Sequence, residues 1–139
     1  MEMYRPESVL DLIIKAMKAE RHDAVKYKRM MEGTNNPEYR KQINFAYEDE
    51  LKHYNMFRNM YFMLTRKTIN IPLPSKIEEY DNLLDAVKSS IEGENEAVDL
   101  YRTIYAMLSN RQMRDTVFEI ITDEIEHAGR FVYLFSMMK

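Results

Sequence analysis

Apolar residues recur at intervals of three and four along most of the chain, which places their side chains on one face of an α-helix. Glycine and proline interrupt this pattern rarely, with three Gly and four Pro in 139 residues. Because the spacing is helical rather than alternating, the pattern predicts an all-α chain.

Capping residues divide this pattern into four predicted helices. Ser8 with Asp11 three positions later is typical of a helix start, and Asn36 followed by Pro37 is another. Gly33 favours the left-handed turn that often follows a helix. The predicted helices cover about 9–33, 37–66, 81–109 and 111–138, with Asn110 capping the last.

The segment 70–74 contains two prolines and cannot be helical. It predicts a stiff, extended crossover between helices 2 and 3, longer than the other loops. We therefore expect one domain, residues 1–139, folded as an antiparallel four-helix bundle.

The two halves of the chain resemble each other at a shift of 74 residues, as an internal duplication of a helical hairpin would. Apolar positions match, and so do polar ones. The matched polar pairs are Glu20 with Glu94, Tyr27 with Tyr101, Asn36 with Asn110, Asp49 with Asp123, Glu50 with Glu124, and His53 with His127.

Six of these repeated residues lie on the apolar faces of the predicted helices and should point into the core. They are Glu20, Glu50, His53, Glu94, Glu124 and His127. A buried unpaired carboxylate costs several kcal/mol or takes up a proton. Two divalent cations would balance four Glu, and no Lys or Arg occupies these positions.

Composition excludes several other kinds of site and partner. Without cysteine the chain has no disulfide and no thiolate-bound metal. Its net charge of −3 comes without a Lys/Arg run, so nucleic acid is not an expected partner. No eighteen apolar residues follow one another, and residues 1–6 lack a signal-peptide run, so we expect a soluble, cytoplasmic protein with no membrane partner.

The sequence resembles the ferritin-like di-iron carboxylate proteins, and within them the rubrerythrin branch. The family pattern is one Glu on each of two helices and Glu-x-x-His on the other two. The residues that carry the likeness are Glu20 with Tyr27, Asp49-Glu50-Leu-Lys-His53, Glu92-Gly-Glu94 with Tyr101, and Asp123-Glu124-Ile-Glu-His127. The resemblance implies a ferritin-like bundle of two repeated helical hairpins that holds two iron ions.

The resemblance also implies a role for each ligand. Glu50 and Glu124 would bridge the two metals, Glu20 and Glu94 would be terminal ligands, and His53 and His127 would each cap one metal. Across the pseudo-twofold axis, Asp49 would orient His127 through the imidazole NH that faces away from the metal. Asp123 would orient His53 in the same way.

The resemblance also implies that Tyr27 and Tyr101 would donate hydrogen bonds to ligand carboxylates.

Two features depart from the rubrerythrin pattern. The chain has no four-cysteine rubredoxin-like domain, so electrons would come from an external donor protein. The further Glu expected three residues after Glu94 is Ala97, and Asp23, at the matching position of helix 1, is an additional candidate ligand.

The implied function is reduction of peroxide or dioxygen at a reduced di-iron pair. A ferroxidase or iron-handling protein and a metal-stabilised structural protein remain alternatives. Manganese suits the same ligands as iron.

Other residues are expected at the surface of the bundle. Helix faces rich in Tyr and Met favour a homodimer. His22 and the pair Glu78-Glu79 are expected to be solvated.

Overall fold

The computed structural model describes residues 7–139, and this part of the chain contains four helices and no strand. The helices are α1 (Val9–Glu32), α2 (Pro37–Thr65), α3 (Leu83–Met107) and α4 (Arg111–Met138). The expectation about residues 1–6 lies outside the described range. Among the described helices, none is long and apolar enough to cross a membrane. The prediction of an all-α, four-helix chain is confirmed.

The helix starts follow from local capping. Ser8 Oγ accepts the Asp11 NH at 3.1 Å, and the Asp11 carboxylate accepts the Ser8 NH at 3.2 Å, so both halves of a capping box are present. Asn36 caps α2 by accepting two backbone NH groups. Helix α3 starts two residues later than predicted because Asn82 is its cap, accepting the Asp85 NH at 2.8 Å.

The helix ends differ from the prediction in two respects. Gly33 follows α1 with φ −84°, so it does not adopt the left-handed conformation expected of it. The residue that does is Arg66, with φ 62°, where its NH bonds to the Phe62 carbonyl and ends α2. Helix α3 ends at Met107, two residues early, because Leu108 is extended.

Helix α1 packs mainly against α2, and α3 mainly against α4, with smaller contacts between α2 and α4 and between α1 and α3. Residues 66–82 join α2 to α3 without helix. This connection is held to the bundle at Ile71, whose carbonyl accepts from Arg21 Nε at 3.0 Å and whose NH donates to the Tyr54 hydroxyl at 2.9 Å.

The buried core consists of two apolar clusters separated by a polar layer. One cluster includes Ile13, Met17, Phe57, Tyr101, Ile104, Val117 and Ile120. The other includes Tyr27, Met30, Ile43, Val87, Phe131 and Leu134. Every helix contributes to both clusters, and buried Glu or His side chains lie between its two contributions. The fold therefore places one ring of polar groups midway along the bundle.

Candidate metal centre

Six ionisable side chains form the polar layer, and all are enclosed by the bundle. They are Glu20, Glu50, His53, Glu94, Glu124 and His127, each 0–1% exposed. Helices α1 and α3 contribute one Glu each, and α2 and α4 contribute a Glu and a His three residues later. A spacing of three residues puts Glu and His on the same helix face, so both point inward.

These side chains form two overlapping sets. Glu20, Glu50, His53 and Glu124 make one set, and Glu50, Glu94, Glu124 and His127 make the other. The ligand atoms within a set lie within 4.8 Å of one another. Ligand atoms on opposite sides of a cation with bonds of about 2.1 Å are about 4.2 Å apart, so each set has the size for one ion. Glu50 and Glu124 belong to both sets.

Each imidazole is oriented by an aspartate on the other Glu-x-x-His helix. His53 Nε2 lies 2.8 Å from Asp123 Oδ2, and His127 Nε2 lies 2.7 Å from Asp49 Oδ2. An ionised carboxylate only accepts hydrogen bonds, so each Nε2 carries the proton. In the neutral ring Nδ1 then keeps its lone pair and faces the carboxylates.

The inward-facing nitrogens approach carboxylate oxygens closely. His53 Nδ1 is 2.8 Å from Glu124 Oε1, and His127 Nδ1 is 3.3 Å from Glu50 Oε1. Neither pair is a hydrogen bond, and both nitrogens therefore lack a hydrogen-bond partner. Adjacent ligands of one cation with bonds of about 2.1 Å lie roughly 3 Å apart, which is the spacing seen here.

Eight buried polar atoms of the layer have no hydrogen-bond partner within the described chain. They are Glu20 Oε2, both oxygens of Glu50, His53 Nδ1, Glu94 Oε2, both oxygens of Glu124, and His127 Nδ1. Buried polar atoms in proteins are nearly always paired, and each orphan costs about 1–3 kcal/mol. These eight atoms all belong to the six layer residues and face one another. The donor set, six carboxylate oxygens and two imidazole nitrogens, fits iron or manganese.

Two buried tyrosines occupy the remaining oxygens of the outer carboxylates. The Tyr27 hydroxyl donates to Glu94 Oε1, and the Tyr101 hydroxyl donates to Glu20 Oε1. Burial raises the pKa of both hydroxyls well above the usual range, and the neighbouring Glu charges raise it further. Both tyrosines therefore stay protonated and leave Oε2 of each Glu free to bind a cation.

Without a cation, the layer must hold protons instead. Burial raises the pKa of Glu50 and Glu124 well above the usual range, and the other carboxylates add to the rise. Burial lowers the pKa of His127, but the hydrogen bond to Asp49 and the nearby Glu94 carboxylate outweigh it and raise the value to about 9. Metal binding would displace these protons.

Comparison with known proteins places the chain in a family. No protein-family model matches the sequence. The "Uncharacterized protein YhjR" of Bacillus subtilis (strain 168) is 31% identical over 108 residues, which cover 77% of this chain and 72% of YhjR. The chain belongs to the YhjR family.

Two solved structures resemble this YhjR-family chain. "Hypothetical Protein Pfu-1136390-001" from Pyrococcus furiosus superposes with a TM-score of 0.80 at 19% identity, covering 94% of this chain and 89% of its own. The conserved hypothetical protein rv2844 from Mycobacterium tuberculosis gives a TM-score of 0.78 at 13% identity, covering 90% and 88%. At these identities the likeness concerns the fold.

Asp23, the additional candidate ligand, lies beside the layer but belongs to neither ligand set of the YhjR-family chain. Its Oδ1 is 2.9 Å from His22 Nδ1, and 17% of its side chain is exposed. Burial raises the pKa of Asp23 to about 6, against the opposing effect of His22. The hydrogen bond with His22 holds the Asp23 carboxylate in this orientation.

His22 is more enclosed than the sequence predicts. Its side chain is 35% exposed, and its Nε2 is 2.8 Å from Glu78 Oε2 on the connection between α2 and α3. The hydrogen bond to Asp23 raises the pKa of His22 to about 9, with Glu78 adding to the effect and burial opposing it. His22 thus links the connection to α1 in a three-residue ionic chain.

Sequence reasoning missed Lys52 in the surroundings of the layer. Its Nζ lies 3.0 Å from Asp123 Oδ2 and 3.6 Å from Asp49 Oδ1, so it covers both His-orienting carboxylates from outside. The sequence does contain a sign of this contact, because Lys52 follows Asp49 by three residues and so lies next to it on the helix surface. The internal repeat hides it, because the matching residue on α4 is Glu126.

Proposed function

We propose that this chain is a ferritin-like, rubrerythrin-like protein that holds two iron ions and reduces peroxide or dioxygen. Its architecture would be two repeated helical hairpins, α1–α2 and α3–α4, arranged antiparallel and joined by the crossover 66–82. The observation that carries the proposal is the set of eight unpartnered, mutually facing donor atoms in a sealed layer. Without a cation, these six buried side chains have to take up protons, whereas two divalent cations would balance four ionised carboxylates directly.

The two ligand sets divide the roles. Glu50 and Glu124 belong to both sets and would lie between the ions. Glu20 and His53 would complete one ion, and Glu94 and His127 the other. The hydrogen bonds from Tyr27 and Tyr101 fix the outer carboxylates in place, so the ligands need little rearrangement on binding.

Bound iron would supply the two electrons that convert hydrogen peroxide and two protons into two water molecules. The chain's own residues prepare the surroundings. The apolar clusters above and below the layer exclude bulk water, which strengthens every charge interaction within it. Asp49 and Asp123 keep each His proton on Nε2, so Nδ1 remains available to the metal.

A ferroxidase or iron-handling role is the second candidate. It is favoured by the absence of cysteine, which leaves the chain without a four-cysteine iron site to deliver electrons. Ferrous ions that enter as substrate bring their own electrons and need no such donor. Oxidised iron would then pass to storage or to a partner protein.

Metal analysis of protein purified from its native source tests the proposal first, with two iron ions per chain expected. Anaerobic reduction and titration with peroxide, followed by absorbance, then separates the candidates. Fast peroxide consumption with an added reductant supports the peroxidase, and turnover of ferrous ions into a mineral supports the second candidate. The double variant Glu50→Ala with Glu124→Ala should bind no metal, and full metal content in it contradicts the site.

A further inference from the structure

The polar layer is covered very differently on its two sides. In a helix, the residue before a given position and the residue three after it are rotated from that position in the same direction around the axis, by about 100° and 60°. Both therefore flank the given residue on the same side. For the Glu residues of α2 and α4, these positions hold Asp49, His53, Asp123 and His127. For the Glu residues of α1 and α3, they hold Ala19, Asp23, Gly93 and Ala97.

The α2–α4 side is closed. Its four flanking side chains form two Asp–His hydrogen bonds, and Lys52 lies across both aspartates. Lys52 also approaches Glu119 at 3.6 Å, which extends the ionic cover over this side. A molecule entering here would have to separate charged pairs that also hold the imidazoles in place.

The α1–α3 side carries a groove, which is also lined by Glu78 and Tyr80 of the connection between α2 and α3. The groove, of about 460 Å³, runs between these helices, and the small flanking residues Ala19, Gly93 and Ala97 line it together with Asp23. Three of the four residues beside Glu20 and Glu94 are therefore Ala or Gly. The residues that line the groove therefore lie about 60° to 100° around the helix axis from the outer carboxylates.

The groove is acidic. Four carboxylates line it, those of Asp23, Glu78, Glu92 and Glu96, against the ammonium groups of Lys15 and Lys26 and the imidazole of His22. Lys26 is largely buried in the wall of the groove, where its Nζ donates to Ser89 Oγ at 3.1 Å. Because His22 is protonated at neutral pH and pairs with Asp23 and Glu78, the remaining carboxylates of Glu92 and Glu96 at the mouth give the groove a small excess of negative charge, which favours cations over anions.

We propose that the groove between α1 and α3 is the route by which divalent cations reach the buried layer. The inference rests on the proposed metal site, since it assigns an entrance to it. The ligands are 0–1% exposed, so an ion passes only when the groove opens transiently, and small side chains make that opening least costly. The carboxylates of the groove would raise the local cation concentration at its mouth.

Filling the groove tests the route, and Gly93→Leu is the variant of choice. A Cβ at Gly93 meets nothing within 4 Å, so a side chain can start there without displacing its neighbours, and leucine extends it into the groove. Gly129→Leu is the matched control, because Gly129 also lies inside a helix, on α4, with nothing within 4 Å. Both changes replace a helix-weakening glycine by a good helix former.

The measurement is the rate at which metal-free protein takes up Co²⁺, followed by its visible absorbance. Gly93→Leu should take up Co²⁺ at least about tenfold more slowly, which corresponds to a rise of about 1.4 kcal/mol in the activation free energy of uptake. It should still reach two ions per chain. Gly129→Leu should load like the wild-type chain. Equal loading rates in all three proteins overturn the route, whereas a wild-type chain that binds no Co²⁺ overturns the metal site itself.

A second variant tests the role of charge without changing the shape of the groove. Glu92 and Glu96 are exposed and belong to neither ligand set, so Glu92→Gln with Glu96→Gln should leave the final stoichiometry at two. At low salt, loading should slow severalfold, and the wild-type rate should fall towards the variant's as salt is added. A variant that loads at the wild-type rate at every salt concentration contradicts the attraction of cations by the groove.

Discussion

Replacing Glu50 by glutamine should stabilise the metal-free protein while abolishing metal binding. Burial and neighbouring carboxylates raise the pKa of Glu50 in the folded state. Keeping a carboxyl protonated above its usual value of 4.5 costs about 1.4 kcal/mol per pH unit. At pH 7 the cost is about 3.5 kcal/mol if the proton is fully retained. Glutamine is neutral at every pH and has nearly the same shape, so it removes this cost.

The direction of the pH dependence follows from linkage. A group whose pKa is raised on folding binds more protons in the folded state, so the free energy of unfolding falls as pH rises above the unfolded value. Glu124 and His127 are shifted upward too and act in the same direction between pH 5 and 8. The metal-free wild-type chain should therefore lose stability over this range, and Glu50→Gln should lose less.

Urea unfolding in the presence of EDTA measures both effects, at pH 5.5 and at pH 7.5. Glu48→Gln is the control, because Glu48 lies on the same helix and is exposed. It should change the free energy of unfolding by no more than about 0.5 kcal/mol. Two results would show that the metal-free layer does not bind protons. One is a Glu50→Gln protein that is less stable than the wild type at pH 7.5, and the other is a wild-type free energy of unfolding that rises with pH.

Three further predictions concern the surroundings of the layer. Asp49→Asn should lower metal affinity about 10- to 100-fold by removing the charge that orients His127, measured by calorimetry, with an unchanged helical circular dichroism spectrum. Metal binding near pH 7 should release protons from Glu50 and His127, and the affinity should fall as pH is lowered, both measurable in weakly buffered solution with an indicator dye. Tyr27→Phe should destabilise the metal-free protein by about 1–3 kcal/mol by leaving Glu94 unpaired, measured by urea unfolding.

The features that could be predicted from sequence are those set by local rules or by repetition. Asn36 followed by Pro37 determines where α2 begins through its own hydrogen bonds, and such a signal needs no tertiary information. The inward direction of Glu20 and Glu94 follows from their spacing relative to apolar neighbours. Repetition at one shift then distinguishes these Glu residues from the many acidic residues that lie on the helix surface.

The features that could not be predicted depend on how distant segments meet. The pairing of His22 with Glu78 joins residues 56 positions apart and requires the path of the connection 66–82, which no periodic pattern encodes. The left-handed residue after a helix is Arg66 rather than Gly33, because glycine permits that conformation without requiring it. Lys52 was missed because only one half of the repeat carries a lysine at this position.

The polar layer is not explained by the stability of the bundle. Apolar residues in the same six places would join the two clusters into one continuous core, and such replacements of buried charges are often neutral or stabilising by about 1–4 kcal/mol. The two tyrosines and two aspartates around the layer satisfy only its outer atoms and leave the inner eight facing one another. Because these hydrogen bonds satisfy the outside of the layer but not its centre, the proposed pair of cations would supply the charge that the inner atoms lack.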